Sequence, residues 1–157
     1  MTSTDAAAST QATDVGTIDM KLEVVTVAVS DVDRSKRFYQ SLGWRLDADF
    51  AVGDDFRIVQ FTPLHSQCSI HFGKGLTSSE PGSAQRMILA VKDIDSARAE
   101  LVSRGVDVDE VYETRPPGLE SQADRSYFAY ASFRDPDGNG WLLQQITKRL
   151  PGREWED

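Results

Sequence analysis

The chain has a single cysteine, Cys68, so no disulfide can form within it. That fits a reducing cytosol. No apolar run approaches bilayer length, which excludes a helical membrane span. Positive charge is short: 17 Lys and Arg stand against 25 Asp and Glu, for a formal net charge of −8. A surface of that sign repels nucleic acid and anionic lipid, so neither is expected as a partner. The N-terminus "MTSTDAAASTQATDVGTID" has neither the basic start nor the apolar stretch of a secretory signal. Residues 1–20 offer almost nothing to bury and read as a disordered tail, and the protein reads as cytoplasmic. The C-terminal "KRLPGREWED" mixes bases with acids, so residues 149–157 read as a second tail rather than a binding patch.

What is present is a repeat. "VAVSDVDRSKRFYQSLG" (27–43) aligns without gaps with "LAVKDIDSARAELVSRG" (89–105), at a constant offset of 62 positions. Ala28, Val29, Asp31, Asp33 and Gly43 match Ala90, Val91, Asp93, Asp95 and Gly105. A match of that length argues for two copies of one structural unit.

Each copy reads as a strand, a helix and three further strands. "LEVVTVAV" and "RMILAV" carry the β-branched and aliphatic residues of strands. Asp31 and Asp93 are placed to cap helix N-termini, with Asp33 and Asp95 favoured by the helix dipole. Val32, Ser35, Phe38, Tyr39 and Leu42 share one helical face, as do Ile94, Ala97 and Leu101. Gly43 and Gly105 supply the left-handed residue that ends each helix. Later strands are expected in "WRLDADFA", "FRIVQFTP" and "QCSIHFG", then in "VDVDEVYE", "YFAYASF" and "WLLQQI". The modules span 21–76 and 86–148, joined by a linker at 77–85. "TRPPGLESQADRS" (114–126) is a longer loop, read as a lid.

Two βαβββ modules with the "FY..LG" helix ending and a closing "DPDGN" turn resemble the vicinal oxygen chelate superfamily. It includes glyoxalase I, extradiol dioxygenases, fosfomycin-resistance enzymes and bleomycin-binding proteins. The resemblance covers roughly residues 21–148, and the ending "SFRDPDGNGWLLQQITKRLPGR" resembles a bacterial branch of that group. It implies an α+β fold of two modules related by a pseudo-twofold axis, with helices outside and a concave, cup-like sheet inside. It also implies a homodimer.

In metal-using members of that superfamily four ligands line the cup. Their positions map here onto Val24, His71, Arg86 and Leu142 (or Leu143). Divalent ions need several lone-pair donors, and only His71 qualifies. Arg86 offers five donors and no acceptor. The expectation is therefore a cup without metal or other cofactor. Strand alternation turns Val24, Thr26 and Ala28 into the cup, and likewise Ser69, His71, Arg86, Ile88 and Ala90, with Val25, Val27 and Val29 packed on helix.

His71 reads either as an acid/base or ligand hydrogen-bond partner or as a strand histidine satisfied locally. Arg86 reads as a grip for an anionic oxygen or as half of a rim ion pair. Gln60 and Gln144 are candidates to orient a ligand, and Tyr127 and Tyr130 to stack on it; alternation does not settle which tyrosine faces inward. His65 reads as exposed, and Cys68 as a small buried residue. The ligand is expected to be a small aromatic or carbonyl-bearing molecule. Two other readings stay open: a lyase or isomerase working through His71 and Arg86, and a non-catalytic drug-sequestering protein. A metal-dependent glyoxalase or dioxygenase with displaced ligands is the remaining alternative.

Overall fold

The structure is a computed structural model that describes residues 14–156. The expected tail at 1–20 therefore lies largely outside the described residues. In chain order the elements are β1 (Val24–Thr26), α1 (Val32–Ser41), β2 (Arg45–Val52), β3 (Phe56–Thr62), β4 (Ser69–Lys74), β5 (Met87–Val91), α2 (Ile94–Ser103), β6 (Tyr112–Glu113), β7 (Ala129–Arg134) and β8 (Gly140–Gln145). They form two four-stranded sheets, ordered β1-β4-β3-β2 and β5-β8-β7-β6. In each, the first strand runs parallel to the fourth and the other pairings are antiparallel. The expected α+β architecture of two βαβββ modules is what forms.

The helix boundaries follow their local chemistry. The Asp31 carboxylate accepts from the Arg34 amide at 3.0 Å, and Asp93 accepts from the amides of Asp95 and Ser96. Each cap satisfies donors that the first helical turn leaves free. Gly43 (φ +84) and Gly105 (φ +88) follow the last turns in the left-handed conformation.

One core joins the modules. Tyr39 on α1 lies 6.1 Å from Phe61 and 5.4 Å from Phe72, on the helix-covered face of the first sheet. It lies 6.1 Å from Trp141, on the helix-covered face of the second. Phe38 reaches Phe133 on β7 at 6.4 Å. α1 therefore packs against both sheets, and the open face of each sheet is the one turned away from this core. Each module thus contributes one helix-covered four-stranded sheet to the expected two-module fold.

The junction is polar at its centre. The Tyr39 hydroxyl donates to Asp135 Oδ2 at 2.8 Å and accepts from Trp141 Nε1 at 3.0 Å. Burial, then the Asp135 charge, pushes the Tyr39 phenol far above its ordinary pKa, so it remains a donor. Asn139 Nδ2 donates to Asp135 Oδ2 and to the Ala28 carbonyl. The "DPDGN" turn of the second module thus clasps the end of β1 in the first.

Three segments depart from the sequence reading. The strand expected at 106–113 shortens to Tyr112–Glu113. Arg98 on α2 donates to the carbonyls of Asp109 (2.8 Å) and Val108 (2.9 Å), which gives those groups partners outside a ladder. β7 starts at Ala129 and not at Tyr127, because Tyr127 has φ +72 and the Phe128 amide turns back to the Arg125 carbonyl. Val25 is half-buried at best, since β1 is an edge strand.

Candidate functional site

The register sorts the expected residues into two rows, one on each open face. On the first sheet Thr26 pairs with His71, and His71 with Gln60. Val24 lies beside Ser69 in the next pair. Thr26 Oγ1 stands 2.7 Å from His71 Nε2. Burial holds the His71 imidazole below its ordinary pKa, so near neutral pH it is uncharged, with one N–H and one lone pair. Ser69 Oγ and Thr62 Oγ1 are 2.6 Å apart. This face offers hydroxyls, an imidazole and an amide, beside the Asp47 carboxylate that accepts from Thr62 Oγ1.

On the second sheet Ala90, Gln144, Tyr130 and Tyr112 form one row, and Ile88, Leu142 and Ser132 the next. Tyr130 faces the open side and stacks on Tyr112, with centroids 5.6 Å apart. Gln144 Nε2 donates to the Tyr127 carbonyl (3.0 Å) and the Tyr130 hydroxyl (3.2 Å). The Tyr130 hydroxyl is thereby an acceptor for Gln144, and its own proton is free for a ligand. Tyr127 adopts a left-handed backbone that is rare for an aromatic residue. Its amide bond to the Gln145 carbonyl (2.7 Å) and the Gln144 contact hold it there. Beside this row lies a cleft of about 440 Å³, lined by Thr114, Arg115, Pro116, Tyr127, Phe128, Tyr130 and Gln144. Arg115 sits 5.1 Å over the Phe128 ring and pairs with Glu113 at 2.9 Å. A second cleft of about 430 Å³ shares Tyr127 and Phe128 and extends under residues 119–126.

Arg86 does not behave as alternation requires. It precedes β5 with φ +60 and is exposed. The Gly140 amide bonds to the Ala84 carbonyl, so the chain is still turning onto the sheet at Arg86. One chain brings Val24, Thr26, Gln60 and His71 together on one face. Tyr127, Tyr130, Leu142 and Gln144 gather on the other, and neither His71 nor Arg86 lines the two clefts above. Tyr112, Thr114, Arg115 and Phe128 were absent from the expected site. The lid reading of 114–126 was the signal for Thr114 and Arg115; Tyr112 and Phe128 fall in the expected strands on either side of it.

The residues do not suit a divalent ion. Among the described residues no three His, Cys, Asp or Glu side chains converge. Val24 and Leu142 bring no lone pair, whatever chain they face. Cys68 is no substitute, because burial, then the Glu23 charge, pushes its thiol up and keeps it protonated.

A family model described as the glyoxalase/bleomycin resistance protein/dioxygenase superfamily matches residues 21–143. Among solved structures, the chain is similar to TnmS3, an antibiotic-binding protein from Streptomyces sp. CB03234, at 30% identity and a TM-score of 0.66, over 83% of this chain and 99% of that one. It is similar to a glyoxalase/bleomycin resistance protein from the same source at 31% identity and a TM-score of 0.61, over 80% and 100% of the two chains. A superfamily member from Sphaerobacter thermophilus DSM 20745 shares 27% identity at a TM-score of 0.59, over 81% and 98%. No curated protein matches the chain.

Proposed function

The chain belongs to the glyoxalase/bleomycin resistance protein/dioxygenase superfamily, and from that premise we propose that it binds a small aromatic or carbonyl-bearing molecule without a metal, in a cup shared by two copies. The observation that carries this is the division of the expected site between two separate sheets of one chain. A homodimer that sets the first sheet of one copy against the second sheet of its partner rejoins the polar row with the aromatic row. The ligand's flat body lies on Tyr130 and in the cleft by Phe128. A carbonyl oxygen accepts from the Tyr130 hydroxyl, and His71 and Gln60 orient the opposite edge. Sequestration of a drug-like molecule is the form of this reading that the likeness to an antibiotic-binding protein supports.

A lyase or isomerase is the second reading, favoured by the contact between Thr26 and a neutral His71. A neutral imidazole can take a proton from a carbon beside a carbonyl. Among the described residues no helix is long and apolar enough to cross a membrane, so the ligand is expected to arrive from water.

The test is titration of the purified protein with planar aromatic antibiotics, with and without a chelator, alongside metal analysis and mass spectrometry of any copurified molecule. Binding unchanged by the chelator is expected. Binding or turnover restored only by zinc, nickel or iron would establish the metal-dependent alternative instead. Turnover abolished by His71→Gln with affinity retained would place the protein among the enzymes.

A further inference from the structure

The second cleft lies outside both rows of the expected site. Leu119, Gln122, Asp124 and Ser126 of the lid loop, with Thr147 and Lys148 beyond β8, line its 430 Å³. Tyr127 and Phe128 are the wall that it shares with the aromatic cleft. In a regular strand those two neighbours would point to opposite faces. Tyr127 stands instead at φ +72, and both residues border both hollows. Strained backbone of this kind persists only where its surroundings over-determine it, and it gathers at ligand sites. The loop over the hollow is held by its own turns. The Leu119 amide donates to the Pro116 carbonyl, the Gln122 amide to the Leu119 carbonyl, and the Ser126 amide to Asp124 Oδ1. Arg115 Nη2 donates to the Asp124 carbonyl at 3.2 Å, and the Thr147 amide to Ser126 Oγ at 2.9 Å.

We propose that the second cleft holds a polyhydroxylated, sugar-like arm of the ligand whose flat body lies in the first. This inference rests on the reading of the first cleft as an aromatic site, and on nothing beyond one chain. The shared wall lets one molecule reach both hollows, and each has the size of a small-molecule site. The lining decides the chemistry of the arm. Asp124 and Lys148 carry opposite charges, so neither an anionic nor a cationic arm gains a net attraction. Among the described residues the side chains of Gln122, Thr147 and Lys148 make no hydrogen bond, and Asp124 accepts through Oδ1 alone. Donors and acceptors therefore stand side by side with capacity left over. An alkyl arm would cover these groups without replacing their bonds to water. Hydroxyls meet both kinds, since each donates once and accepts twice. Leu119 and the rings of Tyr127 and Phe128 give the arm's C–H faces an apolar wall.

The full-length protein is titrated with methylumbelliferyl glucoside, a planar carbonyl-bearing coumarin with a sugar arm, and with the methyl ether of the same coumarin, which lacks the arm. The glucoside is expected to bind about tenfold more tightly, the worth of one or two neutral hydrogen bonds. Gln122→Ala/Lys148→Ala should bring that preference within about twofold and leave the affinity of the ether unchanged. Leu119→Trp fills the second cleft and should remove the preference by a different route. Tyr130→Leu lies in the first cleft only, so it should weaken both probes alike and keep the preference. Circular dichroism checks that each variant is folded, and the exposed-site double variant serves where Leu119→Trp does not fold. Equal affinities in the parent, or a preference that survives both changes in the second cleft, overturn the sugar-like arm and spare the aromatic site. Tighter binding of the carboxymethyl ether than of the glucoside assigns the second cleft to an anionic arm and overturns the proposal in the same way. A parent that binds none of the coumarins overturns both the arm and the aromatic site.

Discussion

The two modules repeat a sequence but solve one problem differently. Lys36 and Arg98 occupy the same position in their helices, and both reach the segment that follows. Lys36 meets a carboxylate, Asp49 on β2, at 2.8 Å. Arg98 meets two backbone carbonyls. The first leaves the backbone free for a ladder, and β2 runs for eight residues. The second takes two carbonyls, while the Asp109 amide still reaches Ser132 on β7, and β6 keeps two residues. A shortened β6 leaves the edge of the second sheet to the 114–126 loop, and that loop builds the aromatic cleft. One side-chain contact on the helix side thus separates a plain polar face from a ligand-sized hollow.

The helices differ in the same sense. Tyr39 on α1 corresponds to Leu101 on α2, and only Tyr39 joins both sheets through its ring and hydroxyl. Making the first helix like the second, by Tyr39→Leu, is the largest expected effect. It removes one donor from the buried Asp135 carboxylate, leaves the Trp141 N–H without its acceptor and leaves a void. Urea unfolding should show a loss of about 3–5 kcal/mol. Tyr39→Phe keeps the ring and should lose about 1–3 kcal/mol. Equal losses would mean that ring packing alone joins the modules.

The clamp on β6 comes next. Arg98→Ala removes hydrogen bonds from a charged donor to two carbonyls and should cost about 2–3 kcal/mol. Lys36→Ala breaks a part-exposed ion pair and should cost under about 1 kcal/mol. The ratio is the point: similar losses would break the contrast between the modules. Loss of ligand binding in Arg98→Ala, with the core intact, would sharpen it by tying the clamp to the cleft.

A third pair of changes compares the open faces. Tyr130→Leu should weaken an aromatic ligand by about 1–2 kcal/mol, roughly tenfold, through lost stacking and a lost donor. Gln60→Leu on the polar face should weaken it by less than about 1 kcal/mol in the same calorimetric titration. The reverse order would make the first sheet the main binding face.

Much of this was legible in the sequence, and the reasons are local. Asp31, Asp93, Gly43 and Gly105 act on backbone groups within a turn of themselves, so the helices could be bounded from their neighbours. Period-two alternation set Thr26 with His71, and Leu142 with Gln144, because a strand face depends only on parity. The failures share the opposite property. β6 is short because of Arg98, ten and more residues away. Arg86 leaves its face because the linker turns late, and one core joins the two sheets because Tyr39 and Phe38 carry aromatic contacts to both. No window along the chain contains those contacts.

The smallest expected effect concerns acid. The Asp49 carboxylate accepts from both Arg57 nitrogens, each at 3.0 Å, and from Lys36. Arg57 first, then Lys36, pulls its pKa from 3.8 down to about 2. A carboxylate lowered by folding stabilises the fold fully above its unfolded value and loses that contribution as pH falls through its folded one. The first module should therefore loosen at β2 as pH drops from about 4 toward 2, by about 1 kcal/mol once solvent screening is allowed for. Asp33 shares Arg57, and Asp47 on the same strand is also held below the usual carboxylate range, chiefly by Arg45, so Asp49→Asn is the control that isolates the effect. The Arg98 clamp has no titrating partner in that window, because backbone carbonyls stay neutral. Asp93 titrates in the second module too, but at the start of α2 and away from the clamp. Hydrogen exchange should show β2 amides losing protection toward pH 2 while those of 109–113 hold theirs. Parallel losses in both stretches, or a loss in β2 that Asp49→Asn leaves unchanged, would show that the carboxylate and carbonyl solutions do not set the two strands apart.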